Sequence, residues 1–275
     1  MGFYTGAIGE VLRKSLNLGY VIRILLVGII SVILFLIALA IVVLPLILTG
    51  FATSSLGLIG GNLSIFVIIF LLILLVLGIL FLVFVSAIIS FMSGMGTFLA
   101  KQLLDSQQLS IGNAWNSTKP RMRSLFKVNL IVMGIMILFF ALLALLALIF
   151  IIPQTLGPGV NIFALIAGIG AFILLAVLII LILVIVLLPF FALYETVAIF
   201  ESDYSARVLL KKAWGYSRKN YGMSLIFIIL FAVVCAIISA LTGWIPILGI
   251  IISLWITSAS YLFYLKLYEL NKERM

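Results

Sequence analysis

The chain is 275 residues long, 67% hydrophobic and 8% charged, with a mean hydropathy of +1.51. A soluble domain is about half apolar and a quarter charged, so this composition excludes a soluble globular protein and points to an integral membrane protein. Sixteen Lys and Arg against seven Asp and Glu give a net charge of +9. In an embedded chain those cations read as residues flanking spans on the cytoplasmic side, and no nucleic-acid partner is expected.

Residue types exclude more. There is no histidine and one cysteine, Cys235. That removes His-based acid–base catalysis, His-ligated metal or haem, and any intramolecular disulfide.

Residues Gly2–Leu18 have the pattern of a short amphipathic helix. Tyr4, Ile8, Val11, Leu12, Ser15 and Leu16 share one face, and Glu10, Arg13, Lys14 and Asn17 the other. The apolar run behind it, Val21–Thr49, is too long for a signal peptide and reads as a retained span, with Pro45 near its far end. An uncharged Gly/Ser-rich turn, Gly50–Asn62, leads into a second run, Leu63–Phe91. Ser86, Ser90 and Gly94 stand four apart near its end, a spacing that favours close helix approach. A second basic segment, Lys101–Lys127, follows; Ile111, Ala114 and Trp115 share a face there, Gly112 weakens the helix, and Pro120 predicts a break.

The third run, Val128–Ile152, ends in an uncharged turn containing Pro153, Pro158 and Gly159. The fourth, Asn161–Leu193, carries Pro189 as a candidate kink. After Glu195, Glu201 and Asp203 comes a third basic segment, Asp203–Lys219. The fifth run, Met223–Leu241, and the sixth, Ile247–Leu265, are joined by a very short turn and predict an antiparallel hairpin. The expected fold class is therefore all-α: one polytopic domain, 1–275, of six transmembrane helices in three hairpins, each preceded by a short cytoplasmic amphipathic helix.

Every charge lies in the N-terminal segment, 101–127, 195–219 or the C-terminal segment, and the three opposite turns carry none. The positive-inside rule then predicts a cell-membrane protein with both termini in the cytoplasm. The basic segments also repeat. Ser106/Ser205, Leu109/Val208, Ile111/Leu210, Ala114/Ala213, Trp115/Trp214 and Lys119/Arg218 match at a spacing of 99 residues, and Val11–Leu16 resembles Leu209–Trp214. Three parallel units are expected, 1–98, 99–197 and 198–275.

Within the third basic segment, Ala206, Leu209, Leu210, Ala213 and Trp214 are expected on one apolar face, with Arg207, Lys211 and Arg218 opposite and Lys212 near the boundary. Trp favours the membrane interface and cations meet anionic headgroups. The candidate interface or partner-binding residues are thus Trp115, Trp214, Arg207, Lys211, Lys212, Arg218 and Lys219. The expected partners are membrane lipids, through anionic cytoplasmic headgroups, and a membrane protein. The plainer alternative is that these helices brace the hairpins.

No catalytic constellation emerges, and no cofactor or metal is expected. Gly94-Met95-Gly96 follows a span and lacks the strand–turn–helix setting of a nucleotide fingerprint. Asp203 is expected to cap the following helix, and Glu201 to favour its N-terminal dipole. Glu195, nearest the membrane, is the candidate for a polar pathway and for pairing with a cation.

The span ending in Pro189 and Glu195, followed by Tyr204–Asn220 before a new span, carries a recurring pattern of a small residue and Ala, Leu/Arg, Ala with Trp, then a basic residue and Asn. It resembles the six-span membrane domain attached to some glycerophosphoryl diester phosphodiesterases and to related uncharacterised prokaryotic families. That resemblance implies a multi-span domain with no established chemistry; the phosphodiesterase catalytic domain has no counterpart in these residues, so its activity does not carry over. The expected function is a non-enzymatic scaffold or accessory subunit that organises lipids or a membrane complex. The alternative is a transporter or channel for an apolar or lipid-like solute, with Gly168, Gly170, Pro189, Ser253 and Thr257 shaping a cavity. A headgroup-directed enzyme built on Glu195, Glu201 and Asp203 is the third reading.

Overall fold

The computed structural model describes residues 2–57, 63–155, 162–201, 204–242 and 246–273. Among these the chain is all-helical: α1 (Gly2–Ser15), α2 (Leu18–Gly57), α3 (Leu63–Leu104), α4 (Ile111–Thr118), a single 3₁₀ turn (Lys119–Arg121), α5 (Met122–Thr155), α6 (Ile162–Phe200), α7 (Ala206–Lys219), α8 (Tyr221–Thr242) and α9 (Pro246–Glu273). Five helices are long and apolar enough to cross a membrane, and α6 makes a sixth if its two bent halves count as one span. This is a membrane-embedded helical protein. Residues 50–57, expected as the start of a turn, instead continue α2; residues 58–62, 156–161 and 243–245 of the three opposite turns, and Asp203 with its capping role, lie outside the described residues.

The helices outrun the apolar runs that announce them. α3 continues past Phe91 to Leu104. It ends in a Schellman closure, with the Gln107 N–H donating to the Gln102 carbonyl at 2.8 Å and the Ser106 N–H to Leu103 at 3.3 Å. Ser106 takes the left-handed position, φ 54°, where glycine is usual. Pro45 lies inside α2 without ending it, as membrane helices tolerate when their freed carbonyls are satisfied elsewhere. Pro120 predicts a break, but it sits in the 3₁₀ turn at a position that needs no N–H donor, and α4 runs almost directly into α5.

Pro189 does bend its helix. The halves of α6, Ile173–Leu183 and Ile185–Phe200, meet at 48°. Proline removes the N–H that would bond the carbonyl four residues earlier, Ile185. That carbonyl instead accepts from the Tyr221 hydroxyl at 2.8 Å, so the first residue of α8 satisfies the kink in α6.

Packing follows the chain in a cyclic order. α2 packs on α3, α5 on α6 and α8 on α9, while α3, α6 and α9 touch one another in the middle. Each outer helix also leans on a second inner helix: α5 on α3, α8 on α6 and α2 on α9. The short helices seat likewise, α4 on α3, α7 on α6, and α1 back on α9. Glu10 links α1 to α9 through Lys266 at 3.5 Å, and Lys14 reaches the Leu104 carbonyl of α3 at 2.8 Å.

The core lies at this charged end. Leu99, Val197, Ile199, Leu262 and Phe263 are fully buried there, whereas Leu36, Leu75, Leu138 and Leu174 in mid-span are exposed. Contiguous apolar exposure of that extent belongs against lipid. Phe263 stacks between Phe227 and Phe231, centroids 4.6 and 4.2 Å away, and fixes α8 on α9. Gly96 lets α3 and α9 meet, since a Cβ there would come within 2.5 Å of the Tyr261 ring.

Candidate functional site

The candidate interface residues gather on α7, and Glu201 sets how α7 is held. Glu201 follows the last turn of α6. Its carboxylate takes the Lys212 ammonium at 2.5 Å, the Tyr216 hydroxyl and, at 3.4 Å, the Tyr268 hydroxyl of α9. Burial by itself would raise the Glu201 pKa, but the bonds from Lys212 and Tyr216 outweigh it and hold it below the usual carboxylate range. Lys212 is correspondingly raised by its bond to Glu201. Tyr216 is pushed up to about 12, first by burial and then by the adjacent carboxylate, and stays a donor. Lys212 also lies 3.5 Å from the centroid of Tyr204. It is an anchor for α7 and not a free cation.

The residues α7 buries are Leu209, Ala213, Tyr216 and Ser217. Trp214 is not among them: it is 41% exposed. The sequence pattern places it on the apolar face, but at 100° per residue it lies about 140° round from Leu209. It joins Arg207, Lys211 and Arg218, four exposed residues in one stripe at i, i+4, i+7 and i+11. None of these three cations, nor Lys219, forms an ion pair among the described residues.

Under Trp214 runs an apolar groove of about 510 Å³ between α5 and α6. Met136, Phe140 and Leu187 line its length, and Phe190 and Trp214 its charged end. The two rings there meet edge to face at 6.2 Å. Trp214 therefore touches the apolar groove on one side and shares its helix stripe with unpaired cations on the other.

Trp115 occupies the matching place on α4. It is 39% exposed and packs against Phe91 at 5.9 Å, as Trp214 does against Phe190, again 99 residues on. Ala114 and Ala213, the neighbours of the two tryptophans, are fully buried. α4 is capped by Ser110, whose Oγ accepts from the Asn113 N–H at 3.3 Å. It is tied back by Gln102, whose Oε1 accepts from the Ser110 N–H at 2.9 Å. At the positions equivalent to Arg207 and Lys211 stand Gln108 and Gly112, and Lys119 replaces Arg218.

Glu195 lies elsewhere, inside the bundle and partly buried. Ser93 donates to its Oε2 at 2.7 Å and Tyr194 to its Oε1 at 3.1 Å. No Lys or Arg pairs with it among the described residues. Asn129 lies beside it, and its amide donates to Ser90 Oγ at 3.0 Å, which in turn donates to the Ser86 carbonyl at 2.6 Å. The Asn129 Oδ1 is buried and unpartnered. The Ser86, Ser90 and Gly94 stripe thus meets α5 and α4: Ser86 reaches Met133 Sδ at 3.0 Å, and a Cβ on Gly94 would overlap Thr118. Among the described residues, no three His, Cys, Asp or Glu converge on a metal position. Ser253 and Thr257 are exposed, and their hydroxyls bond their own helix at 2.8 and 2.9 Å.

Sequence reasoning missed Tyr216, Tyr268, Ser93, Asn129 and Gln102. Tyr216 carries a signal, since it stands one turn from Lys212 on α7. Asn129, a lone amide in an apolar run, carries another. No protein-family model matches the chain, and no curated protein or solved structure does. The resemblance to phosphodiesterase membrane domains rests on the span ending in Pro189 and Glu195 and on Tyr204–Asn220, and none of these comparisons supports it.

Proposed function

We propose that this protein is a non-enzymatic, multi-pass scaffold that organises anionic lipid, and the membrane complexes resting on it, at the cytoplasmic surface. In this reading the six spans form three hairpins with both termini cytoplasmic. α1, α4 and α7 make a collar of pseudo-threefold related helices. The observation that carries it is the cyclic packing, in which each short helix seats on one inner helix and α1 returns to α9. Polar groups at that end are largely spent on tying helices together: Glu10 to Lys266, Glu201 to Lys212, Asn271 to Ser224 at 3.2 Å. What remains free are exposed cations at the level where headgroups lie, the disposition expected of a lipid-organising surface. The resemblance to phosphodiesterase membrane domains fits the same reading.

The test is purification in mild detergent from native membrane, with the co-purifying lipid compared with the bulk. The reading expects enrichment of anionic phospholipid around the chain; a retained lipid composition equal to the bulk overturns it. A transport reading draws on one observation, the Glu195 cluster with its unpartnered Asn129 Oδ1. Solute flux in reconstituted vesicles that Glu195→Gln abolishes would favour it over the scaffold.

A further inference from the structure

We infer that α7 and the α5–α6 groove form one binding site for a single diacyl phospholipid with an anionic headgroup. It rests on the lipid-organising reading and narrows that reading to one place.

Two independent features meet at Trp214. The first is the groove, about 510 Å³ and lined by side chains such as Met136, Phe140 and Leu187. Its extent along the spans and its apolar walls suit an acyl chain, which gains by dispersion contact and has no polar demand to meet. The second is the stripe of Arg207, Lys211 and Arg218, all exposed and all without an acidic partner among the described residues. Three unpaired cations on one helix face attract an anion, and here they share that face with the ring that closes the groove. A phosphodiester above and a hydrocarbon chain below matches both the charge of the stripe and the polarity of the groove.

The chain supplies its own contrast. α4 carries an equivalent Trp115 against Phe91, yet Gln108 and Gly112 replace two of the three cations. Of that stripe α4 keeps only the position of Lys119, and the exposed Arg123 and Lys127 beyond it stand on α5. Lys212 does not contribute either, because it is committed to Glu201. Selectivity for anionic lipid therefore belongs to Arg207, Lys211 and Arg218, and retention of the chain to the groove.

The test uses the full-length protein, stripped of lipid in detergent and titrated separately with dioleoylphosphatidylglycerol and dioleoylphosphatidylcholine. Native mass spectrometry counts bound lipid. The expected result is one tightly retained phosphatidylglycerol per chain, favoured over phosphatidylcholine by about tenfold or more. Arg207→Gln/Lys211→Gln/Arg218→Gln should bring the two lipids to near-equal binding. Met136→Trp, which fills the groove, should cut retention of both lipids about tenfold, and Trp115→Ala should change neither. Millimolar inorganic phosphate should not displace the lipid, since it has no chain for the groove. An undiminished preference in the triple variant, full retention in Met136→Trp, an equal loss in Trp115→Ala, or displacement by phosphate would each overturn the site. A monodisperse profile and unchanged melting temperature identify variants that remain folded; a misfolded Met136→Trp is replaced by Phe140→Ala, which widens the groove and should also weaken retention. Should the triple variant keep its phosphatidylglycerol preference in detergent while anionic lipid enriches around the unaltered chain in native membrane, the site fails and the scaffold reading stands.

Discussion

α4 and α7 occupy matching seats on α3 and α6, yet they are held by different forces and face outward with different chemistry. α4 has 8 residues, a side-chain N-cap from Ser110 and a neutral tie through Gln102. α7 has 14 residues, makes no side-chain bond at its Ser205 cap, and is fixed by the Lys212 ion pair and the Tyr216 hydroxyl on Glu201, which the Tyr268 hydroxyl of α9 also reaches. Gln102 and Glu201 stand 99 residues apart, so one position of the proposed repeat does the same mechanical work with an amide in one unit and a carboxylate in the next. The conserved geometry with altered charge teaches that seating a short helix and presenting cations are separable tasks. α7 does both.

Breaking the Glu201 tie should have the largest effect. Glu201→Ala leaves Lys212, Tyr216 and Tyr268 without their acceptor and should cost about 2–4 kcal/mol. Gln102→Ala should cost about 1 kcal/mol. Denaturant titration in detergent, with limited proteolysis ahead of α7, measures both; equal losses would erase the distinction. The same tie predicts a pH dependence. Glu201 has its folded pKa below the ordinary 4.5, so its contribution is complete above that value and is lost as pH falls through the folded pKa. Lys212 is raised above 10.5, so its contribution holds below that value and fades as pH rises past it. Trp214 emission should stay flat between these limits and change on acidification, and Glu201→Gln should abolish the acid change.

Next in size is the α4 seat. Gly94→Ala drives a methyl group into Thr118 and should cost about 1–3 kcal/mol by overpacking. Adding Thr118→Ala should recover part of that loss, and the reactivity of a cysteine placed at Lys219 on α7 should not move. A change at α7 would mean that the two seats are mechanically coupled. The smallest effect is at the caps: Ser110→Ala should cost about 1 kcal/mol while Ser205→Ala costs nearly nothing, both read from melting temperatures. A Ser205→Ala loss matching that of Ser110→Ala would show that α7 depends on its cap after all.

The apolar runs, the helical class and the positions of the basic segments were legible because span length and charge segregation are composition-level signals. Helix ends were not. α3 runs on to Leu104 because its last turns are buried among other helices, and its stop is a left-handed Ser106 where a glycine would have announced it. The proline rules separated by context: Pro189 bends α6, while Pro120 sits inside a 3₁₀ turn and Pro45 passes within α2. On α7 the pattern located Arg207, Lys211 and Arg218 on the open face correctly but drew Trp214 inward, since a bulky aromatic scores as core whether it meets protein or lipid. The partners of Glu195 and Glu201 come from other helices, and nothing in local periodicity reports such contacts.

The central claim is that the charged, packed end of the bundle, with α4 and α7 on it, lies on the cytoplasmic side. Cysteine accessibility tests it most directly. In a Cys235→Ser background, single cysteines replace Ser55, Arg123 and Lys219; Arg123 and Lys219 are exposed at the charged end, whereas the nearby Ser217 is buried. Sealed cells are treated with a membrane-impermeant maleimide before and after permeabilisation. The account predicts that Ser55→Cys reacts in sealed cells, and that Arg123→Cys and Lys219→Cys react only once the membrane is opened. Labelling of either charged-end cysteine in sealed cells would contradict it.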